Sequence, residues 1–155
     1  MLKILLRKWN ENKSLLRQEL STRTNLNGCN YLDLVKLTFE TVYNKGKLDY
    51  GEDLDLKNIT QIDNGDYQGT LLFLIPFNTY QPSEYEYLMT YVGYGSCSGC
   101  DTLLSIQEYN NGQELTEQQV KLFMNLCKDI VTNTIKPYNS GWRENDNFDV
   151  VEIGE

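Results

Sequence analysis

Residues 57–94, KNITQIDNGDYQGTLLFLIPFNTYQPSEYEYLMTYVGY, contain three stretches with the pattern of β-strands. Residues 57–63 alternate weakly, and the Asn-Gly pair at 64–65 favours a hairpin turn because both residues tolerate positive φ. Residues 67–77 are almost continuously apolar, which is typical of a strand that is covered on both faces. Residues 85–94 follow after a polar loop. Three consecutive strands with short connections predict an antiparallel meander.

Helical patterns flank these strands on both sides, over residues 1–45 and 101–135. Leu, Val and Phe recur there at the spacing of three and four residues that gives a helix one apolar face. Asn30 is placed to cap the second helix, and Thr116 and Gln119 have the spacing of a capping box before the last one. The predicted helices are residues 1–20, 31–45, 102–109 and 116–135.

The order of helices, strands and helices predicts an α+β fold, formed as a single domain by residues 1–155. The expected sheet is a small antiparallel meander of three to four strands, with N- and C-terminal helices packed on it. A fourth, edge strand would come from the apolar residues at 148–153, inside an acidic tail of residues 138–155. The alternation of strands and helices that marks a doubly wound parallel sheet is missing.

The chain has 14 Lys and Arg, 22 Asp and Glu, no histidine and a formal net charge of −8. This charge repels phosphate backbones and anionic bilayers, so we expect no direct binding to nucleic acid or membrane; a basic protein surface stays open as a partner. The lack of histidine excludes Ser-His-Asp and Cys-His catalysis. Glu52, Asp53 and Asp55 are either solvated surface or a mimic of the spaced charges of DNA. Because no signal-peptide pattern is visible, we expect the protein in the cytoplasm.

Residues 91–101, YVGYGSCSGCD, lead from a strand into a glycine-rich turn that contains Cys97 and Cys100. In the redox interpretation, the N-terminus of the following helix lowers the pKa of Cys97, so that its thiolate attacks disulfides. Redox CxxC motifs occur in a βαβ context, which is absent here, and the adjacent Asp101 disfavours a thiolate. The sequence therefore favours an enzyme of this kind less than the alternatives.

Two further interpretations of the turn remain open. An all-thiolate zinc site would need all four thiols of the chain as ligands, since zinc prefers four ligands and no histidine is available. Its ligands would be Cys29, Cys97, Cys100 and Cys127. Alternatively, the turn is a structural corner whose thiols lie near the core, and no cofactor is involved.

Five tyrosines fall between residues 80 and 94. Tyrosine gives a large contact area with a polar tip, so the cluster is typical of a binding surface, although strands that face a core are also rich in tyrosine. Tyr80, in a polar loop, is the strongest contact candidate. The residues that we expect to contact a partner are Tyr80, Tyr94, Ser98, Gly99 and Asp101.

Residues 63–81 (DNGDYQGTLLFLIPFNTYQ) and 94–103 (YGSCSGCDTL) together resemble a group of small acidic proteins encoded by phages and prophages of low-GC Gram-positive bacteria. The resemblance spans residues 57–108 and the helix that follows. It implies an intracellular phage accessory protein that acts on a host or defence component. Together with the acidity and the missing catalytic constellation, the resemblance leads us to expect a non-catalytic protein that binds a host or defence-system protein as an inhibitor or modulator. The alternatives are a small zinc- or ligand-binding protein that uses the CSGC turn and a thiol redox enzyme.

Overall fold

The structure is a computed structural model that describes residues 2–23, 26–46, 48–97, 99–107 and 115–136. Within these ranges, helices precede and follow a three-stranded antiparallel sheet, which confirms the predicted α+β fold class. A 3₁₀ turn at Leu26–Gly28 precedes the second helix. In chain order, the elements are α1 (Leu2–Thr22), α2 (Tyr31–Val42), β1 (Thr60–Asp63), β2 (Gly69–Pro76), β3 (Tyr87–Tyr94), α3 (Thr102–Gln107) and α4 (Glu117–Thr132).

The sheet is the predicted meander, with the strand order β1-β2-β3 and both pairs antiparallel. β1 begins three residues later than predicted, because a turn around Asp55 occupies the preceding residues. The Asp55 carboxylate accepts hydrogen bonds from the Lys57 N–H (3.2 Å) and from Asn58 Nδ2 (2.6 Å). The fourth strand predicted within residues 138–155 lies outside the described residues.

One face of the sheet is buried under the helices, and the other is only partly covered. In β2 the side chains of Leu71, Phe73 and Ile75 are buried, whereas those of Leu72 and Leu74 are half-buried. The strand is therefore covered on both faces as expected, but one face is covered less completely than the other. The buried face packs with the fully buried side chains of the helices, among them Trp9, Phe39, Phe123 and Ile130.

Both predicted N-terminal caps are confirmed. The Asn30 side chain accepts a hydrogen bond from the Asp33 N–H, and the Thr116 side chain accepts one from the Gln119 N–H. Helix α4 ends before the predicted residue 135, because Ile135 instead forms two backbone hydrogen bonds with Met89 at the edge of β3 (2.8 and 2.9 Å).

A hydrogen bond between β3 and α4 positions the sheet against the C-terminal helix. Thr90, buried in β3, donates a hydrogen bond from Oγ1 to the Ile130 carbonyl of α4 at 2.7 Å. Helix α4 also contacts α1, α2 and α3, so it lies at the centre of the helical layer. In the part of the chain that the structure describes, no helix combines the length and apolar character needed to cross a bilayer.

Candidate functional site

The cysteine corner, residues 95–101 without Ser98, connects β3 to α3. Its two thiols, Cys97 and Cys100, are both exposed. The Cys100 N–H donates a hydrogen bond to the Cys97 carbonyl at 3.0 Å, which closes a four-residue turn. The Cys97 N–H lies 3.0 Å from Cys100 Sγ, so the second sulfur points back towards the first residue of the turn. Ser98, predicted to contact a partner, lies outside the described residues.

Asp101 anchors this corner to the core. Its carboxylate accepts hydrogen bonds from Tyr31 Oη (2.8 Å), from the Gly95 N–H (2.8 Å) and from the Leu104 N–H (3.0 Å). The residue is only 5% exposed. The sequence-based expectation that Asp101 contacts a partner is therefore not met by its position, because its side chain faces inward.

Tyr31 connects the corner to the start of α2. Its hydroxyl donates to Asp101 and also accepts a hydrogen bond from the Leu103 N–H at 3.2 Å. Burial is the main cause that raises the pKa of Tyr31 above its usual range, and the neighbouring carboxylate adds to the shift. The phenol therefore stays neutral near neutral pH and keeps donating its hydrogen bond to Asp101.

Gly95 allows the turn to fold back onto the end of β3. A Cβ atom at this position would lie 2.5 Å from the Cys100 carbonyl oxygen and 2.8 Å from Cys100 Sγ, closer than side-chain carbons approach other heavy atoms. Gly99 is exposed, and the nearest atom to a Cβ placed there is Cys97 Sγ, at 4.0 Å. Gly95 is thus required because Cys100 approaches it too closely for a side chain to fit, whereas a side chain would fit at position 99.

The other two thiols lie apart from the corner. Cys127 is fully buried in the core, and burial raises its pKa to about 12. Cys29 is half-buried beside Gln107, and burial is the main cause that raises its pKa to about 11. Among the described residues, which include all four cysteines, no group of three or more Cys, Asp or Glu is placed to hold a metal ion. The structure therefore does not assemble the four-thiolate zinc site.

The two corner thiols differ in acidity. Hydrogen bonds lower the pKa of Cys100, first from the Cys97 side chain and then from the backbone of Cys97 and from Ser96, against a partial desolvation. The same thiol–thiol hydrogen bond is the main cause that raises the pKa of Cys97. The acidic thiol is thus Cys100, and not Cys97 as expected from a helix N-terminus, because α3 begins only at Thr102.

The predicted contact residues are divided between two ends of the sheet. Tyr94 ends β3 next to the cysteine corner and donates a hydrogen bond from its hydroxyl to the Asp63 carboxylate. Tyr80 lies in the loop before β3, at the opposite end. An eight-residue strand separates the two ends, and such a strand is about 25 Å long. Tyr94 and Gly99 therefore share a region of the surface, and Tyr80 belongs to another.

Tyr80 lies beside a tyrosine that the sequence analysis did not select. The side chains of Tyr50 and Tyr80 are 81% and 84% exposed, and the Tyr80 N–H donates a hydrogen bond to Tyr50 Oη at 2.9 Å. The two loops are held together by an Asn78 N–H bond to the Asp53 carbonyl (2.8 Å) and an Asn78 Nδ2 bond to its carboxylate (3.1 Å). No local signal predicts this pairing, because the two tyrosines are thirty residues apart in the sequence.

These two loops concentrate negative charge. Residues 48–56 and 77–88 contain six acidic residues and no lysine or arginine. Lys136 reaches the border of the region, with its ammonium 5.5 Å from the centre of the Phe77 ring. We call the two exposed tyrosines and four neighbouring acids of these loops the tyrosine–acid patch; it comprises Asp49, Tyr50, Glu52, Asp53, Tyr80 and Glu84, of which only Asp53 is half-buried.

The remaining tyrosines of β3 face away from the helices. Leu88, Thr90 and Val92 are buried, whereas Tyr87 is half-buried and Tyr91 is 47% exposed. Tyr91 is paired across the strands with Leu72, which itself is paired with Ile62. Tyr87 and Tyr91 therefore do not face the core, whereas Tyr94 is partly buried against it.

Comparisons with protein-family models, with curated proteins and with solved structures find no match to this chain. A cavity of about 770 Å³ between α1 and α4, lined by Arg17, Glu117 and Lys121 among others, contains none of the predicted site residues. The chemistry of the corner and of the patch therefore carries the functional argument.

Proposed function

We propose that this chain is a non-catalytic accessory protein, encoded by a phage or prophage, that binds a host or defence-system protein in the host cytoplasm as an inhibitor or modulator. The origin and the class of partner are supported by the resemblance carried by residues 63–81 and 94–103. The observation that carries the binding function is the pair Tyr50 and Tyr80, which are 81% and 84% exposed side by side.

The chemistry of the tyrosine–acid patch fits a basic protein surface. Two adjacent phenol rings supply apolar contact area with polar tips, and tyrosine is enriched where interfaces are tightest. Carboxylates around the rings attract lysine and arginine, which can also lie over the ring faces. Electrostatic complementarity of this kind mainly accelerates association and selects the partner.

The proposal concerns the patch and excludes Asp101 from the contact surface, because that side chain is buried. Tyr94 and Gly99 lie at the other end of β3 and are not needed for this contact.

The test is affinity capture with the tagged full-length protein in a lysate of a low-GC Gram-positive host, followed by mass spectrometry and a titration of the captured protein. Tyr80→Ala removes an exposed ring without removing its backbone hydrogen bond, and Glu52→Lys reverses one charge. The matched control is Tyr67→Ala, since Tyr67 is 82% exposed but lies in the loop between β1 and β2, at the other end of the sheet.

We expect the wild type and Tyr67→Ala to capture the same protein at near-equal stoichiometry, with an affinity that falls as salt is raised. Tyr80→Ala should weaken this binding by about 2 kcal/mol, the size typical of a contact hot spot. A partner that binds all three variants equally, or a lysate from which no patch-dependent partner is captured, would contradict the proposed function.

A further inference from the structure

We propose that Cys97 and Cys100 form a thiol–disulfide exchange site for small-molecule disulfides, in which Cys100 is the attacking sulfur and Cys97 the resolving sulfur. The product is an intramolecular disulfide across the turn. The site goes beyond the proposed binding function, since it needs no protein partner and lies at the opposite end of the sheet from the tyrosine–acid patch.

The backbone of the turn already has the dimensions of a disulfide. The hydrogen bond from the Cys100 N–H to the Cys97 carbonyl, at 3.0 Å, defines a β-turn, and the end Cα atoms of such a turn are less than about 7 Å apart. Disulfide-bonded cysteines have Cα atoms about 4.4–6.8 Å apart. The Cys100 sulfur also points back across the turn, 3.0 Å from the Cys97 nitrogen. Closing the bond therefore needs side-chain rotation and little movement of the chain.

The surroundings of the two sulfurs assign their roles. Cys100 Sγ accepts a hydrogen bond from the Cys97 N–H at 3.0 Å, and its neutral thiol can donate to the Cys97 carbonyl at 3.2 Å. The backbone N–H donor at Cys100 Sγ favours the thiolate of Cys100, and the pKa of Cys100 is lowered whereas that of Cys97 is raised. The thiolate is the form that attacks disulfides, so Cys100 reacts first.

Asp101, the nearest carboxylate along the chain, does not cancel this preference. Its oxygens are bound by Tyr31, Gly95 and Leu104, and the residue is buried. Its negative charge is thus directed towards three donors on the inner side of the corner, and Cys100 is exposed on the outer side. The same bonds fix the position of Gly95, against which Cys100 packs.

Only Cys97 and Cys100 are exposed enough to react with a small-molecule disulfide. Cys127 is fully buried, and Cys29 is half-buried with a hydrogen bond from Gln107 to its sulfur (3.6 Å). Burial raises the pKa of both thiols, to about 12 and about 11 respectively. They therefore remain protonated near neutral pH and are difficult for a disulfide reagent to reach.

The reaction balances with one disulfide as the oxidant. The Cys100 thiolate attacks one sulfur of RS–SR, which forms a mixed disulfide and releases RS⁻. The Cys97 thiol gives its proton to that base, and the Cys97 thiolate attacks the Cys100 sulfur, which forms the Cys97–Cys100 disulfide and releases a second RS⁻. The dithiol loses two electrons, and RS–SR is reduced to two thiol equivalents.

The test treats the full-length, reduced protein with glutathione disulfide near neutral pH and follows it by acid quenching, intact mass and peptide mapping. We expect the wild type to lose the mass of two hydrogen atoms, with the bond mapped to Cys97 and Cys100 and reversed by dithiothreitol. Cys97→Ser should accumulate one stable glutathione adduct on Cys100. Cys100→Ser should form an adduct on Cys97 severalfold more slowly.

Three other results would contradict the proposal. A wild type that keeps both thiols reduced would show that no exchange site exists. A stable adduct on the wild type would show that Cys97 does not resolve it, and faster modification of Cys97 than of Cys100 would reverse the roles. Because no partner is present in this assay, its outcome is independent of the capture experiment.

Discussion

Two tyrosine–aspartate hydrogen bonds flank the cysteine corner, and they differ in burial. Tyr31 donates to Asp101 inside the core, whereas Tyr94 donates to Asp63 at the surface. A hydrogen bond to a charged group contributes more when both partners are shielded from water, and leaving a buried carboxylate without its donor is costly. The buried pair therefore fixes the position of the corner. The main effect of the exposed pair is on the pKa values of Asp63 and Tyr94.

The exposed pair gives a prediction for pH. The hydrogen bond from Tyr94 is the main cause that lowers the pKa of Asp63, and the same bond raises the pKa of Tyr94 to about 12. The bond needs an ionised Asp63 and a protonated Tyr94. A lowered carboxyl pKa stabilises the fold above the unfolded value of about 3.9, and this contribution is lost as the pH falls through the folded pKa.

We therefore expect Tyr94→Phe to raise the pKa of Asp63 towards its ordinary value, because the phenol donor is removed while the Gly65 N–H donor remains. The measurement is an NMR titration of the Asp63 side-chain carboxyl carbon. Tyr91→Phe is the control, since Tyr91 is an exposed tyrosine on the same strand. An unchanged Asp63 titration in Tyr94→Phe would mean that the hydrogen bond does not persist in solution.

The close approach at Gly95 gives a prediction for stability. Gly95→Ala would place a Cβ atom 2.5 Å from the Cys100 carbonyl oxygen, so the turn must shift away from β3. We expect the free energy of unfolding to fall by about 1–3 kcal/mol, the usual cost of overpacking. Gly93→Ala is the matched control, because the nearest atom to its added Cβ is 3.9 Å away. Equal denaturation midpoints for the two variants would contradict the contact.

At the scale of elements, local signals predicted where helices begin, and long-range contacts decided where elements end. The caps at Asn30 and Thr116 are formed by side chains three residues from their partners, so the sequence contains the whole signal. Ile135 instead bonds to Met89, and this partner cannot be seen in the sequence near α4. The bond of Asp101 to Tyr31 was missed for the same reason, because the two residues are seventy positions apart. Its bond from the Leu104 N–H, three residues further on, is a local signal at the start of α3 that could have been predicted.

Gln119 joins two helices, and this gives a prediction at the element scale. Its Oε1 accepts from the Thr116 N–H, and its Nε2 donates to the Ile106 carbonyl at the end of α3, both at 3.0 Å. Thr116→Ala should cost about 1 kcal/mol, as expected for a lost cap. Gln119→Ala should cost more, because it also leaves the buried Ile106 carbonyl without this donor. Chemical denaturation that gives the two variants equal stability would show that the bond to α3 contributes nothing.

At the scale of the whole molecule, the sheet separates the two regions with the most distinctive surface chemistry. The tyrosine–acid patch lies at the end of the sheet where β3 begins, and the cysteine corner lies where β3 ends. Tyr80, Tyr94 and the corner were predicted to form one contact surface, because they are close together in the sequence. A strand runs straight, so residues at its two ends are kept apart by the strand's own length.

This separation predicts that oxidation of the corner does not change binding by the patch. Forming the Cys97–Cys100 bond alters side chains within a turn that Asp101 already anchors, and the full length of β3 separates this turn from the patch. The captured partner should therefore bind the reduced protein and the disulfide form with affinities equal within about twofold, a difference of about 0.4 kcal/mol.

The affinity is measured by isothermal titration of the partner into the reduced protein and into the disulfide form. Tyr80→Ala is the control that should lose affinity, and Cys97→Ser is the control that cannot form the disulfide. If oxidation weakened binding to the wild type but not to Cys97→Ser, the corner would have to touch the partner or to transmit its change through β3. In the case of direct contact, the partner's interface would need to extend over about 25 Å, the length of an eight-residue strand.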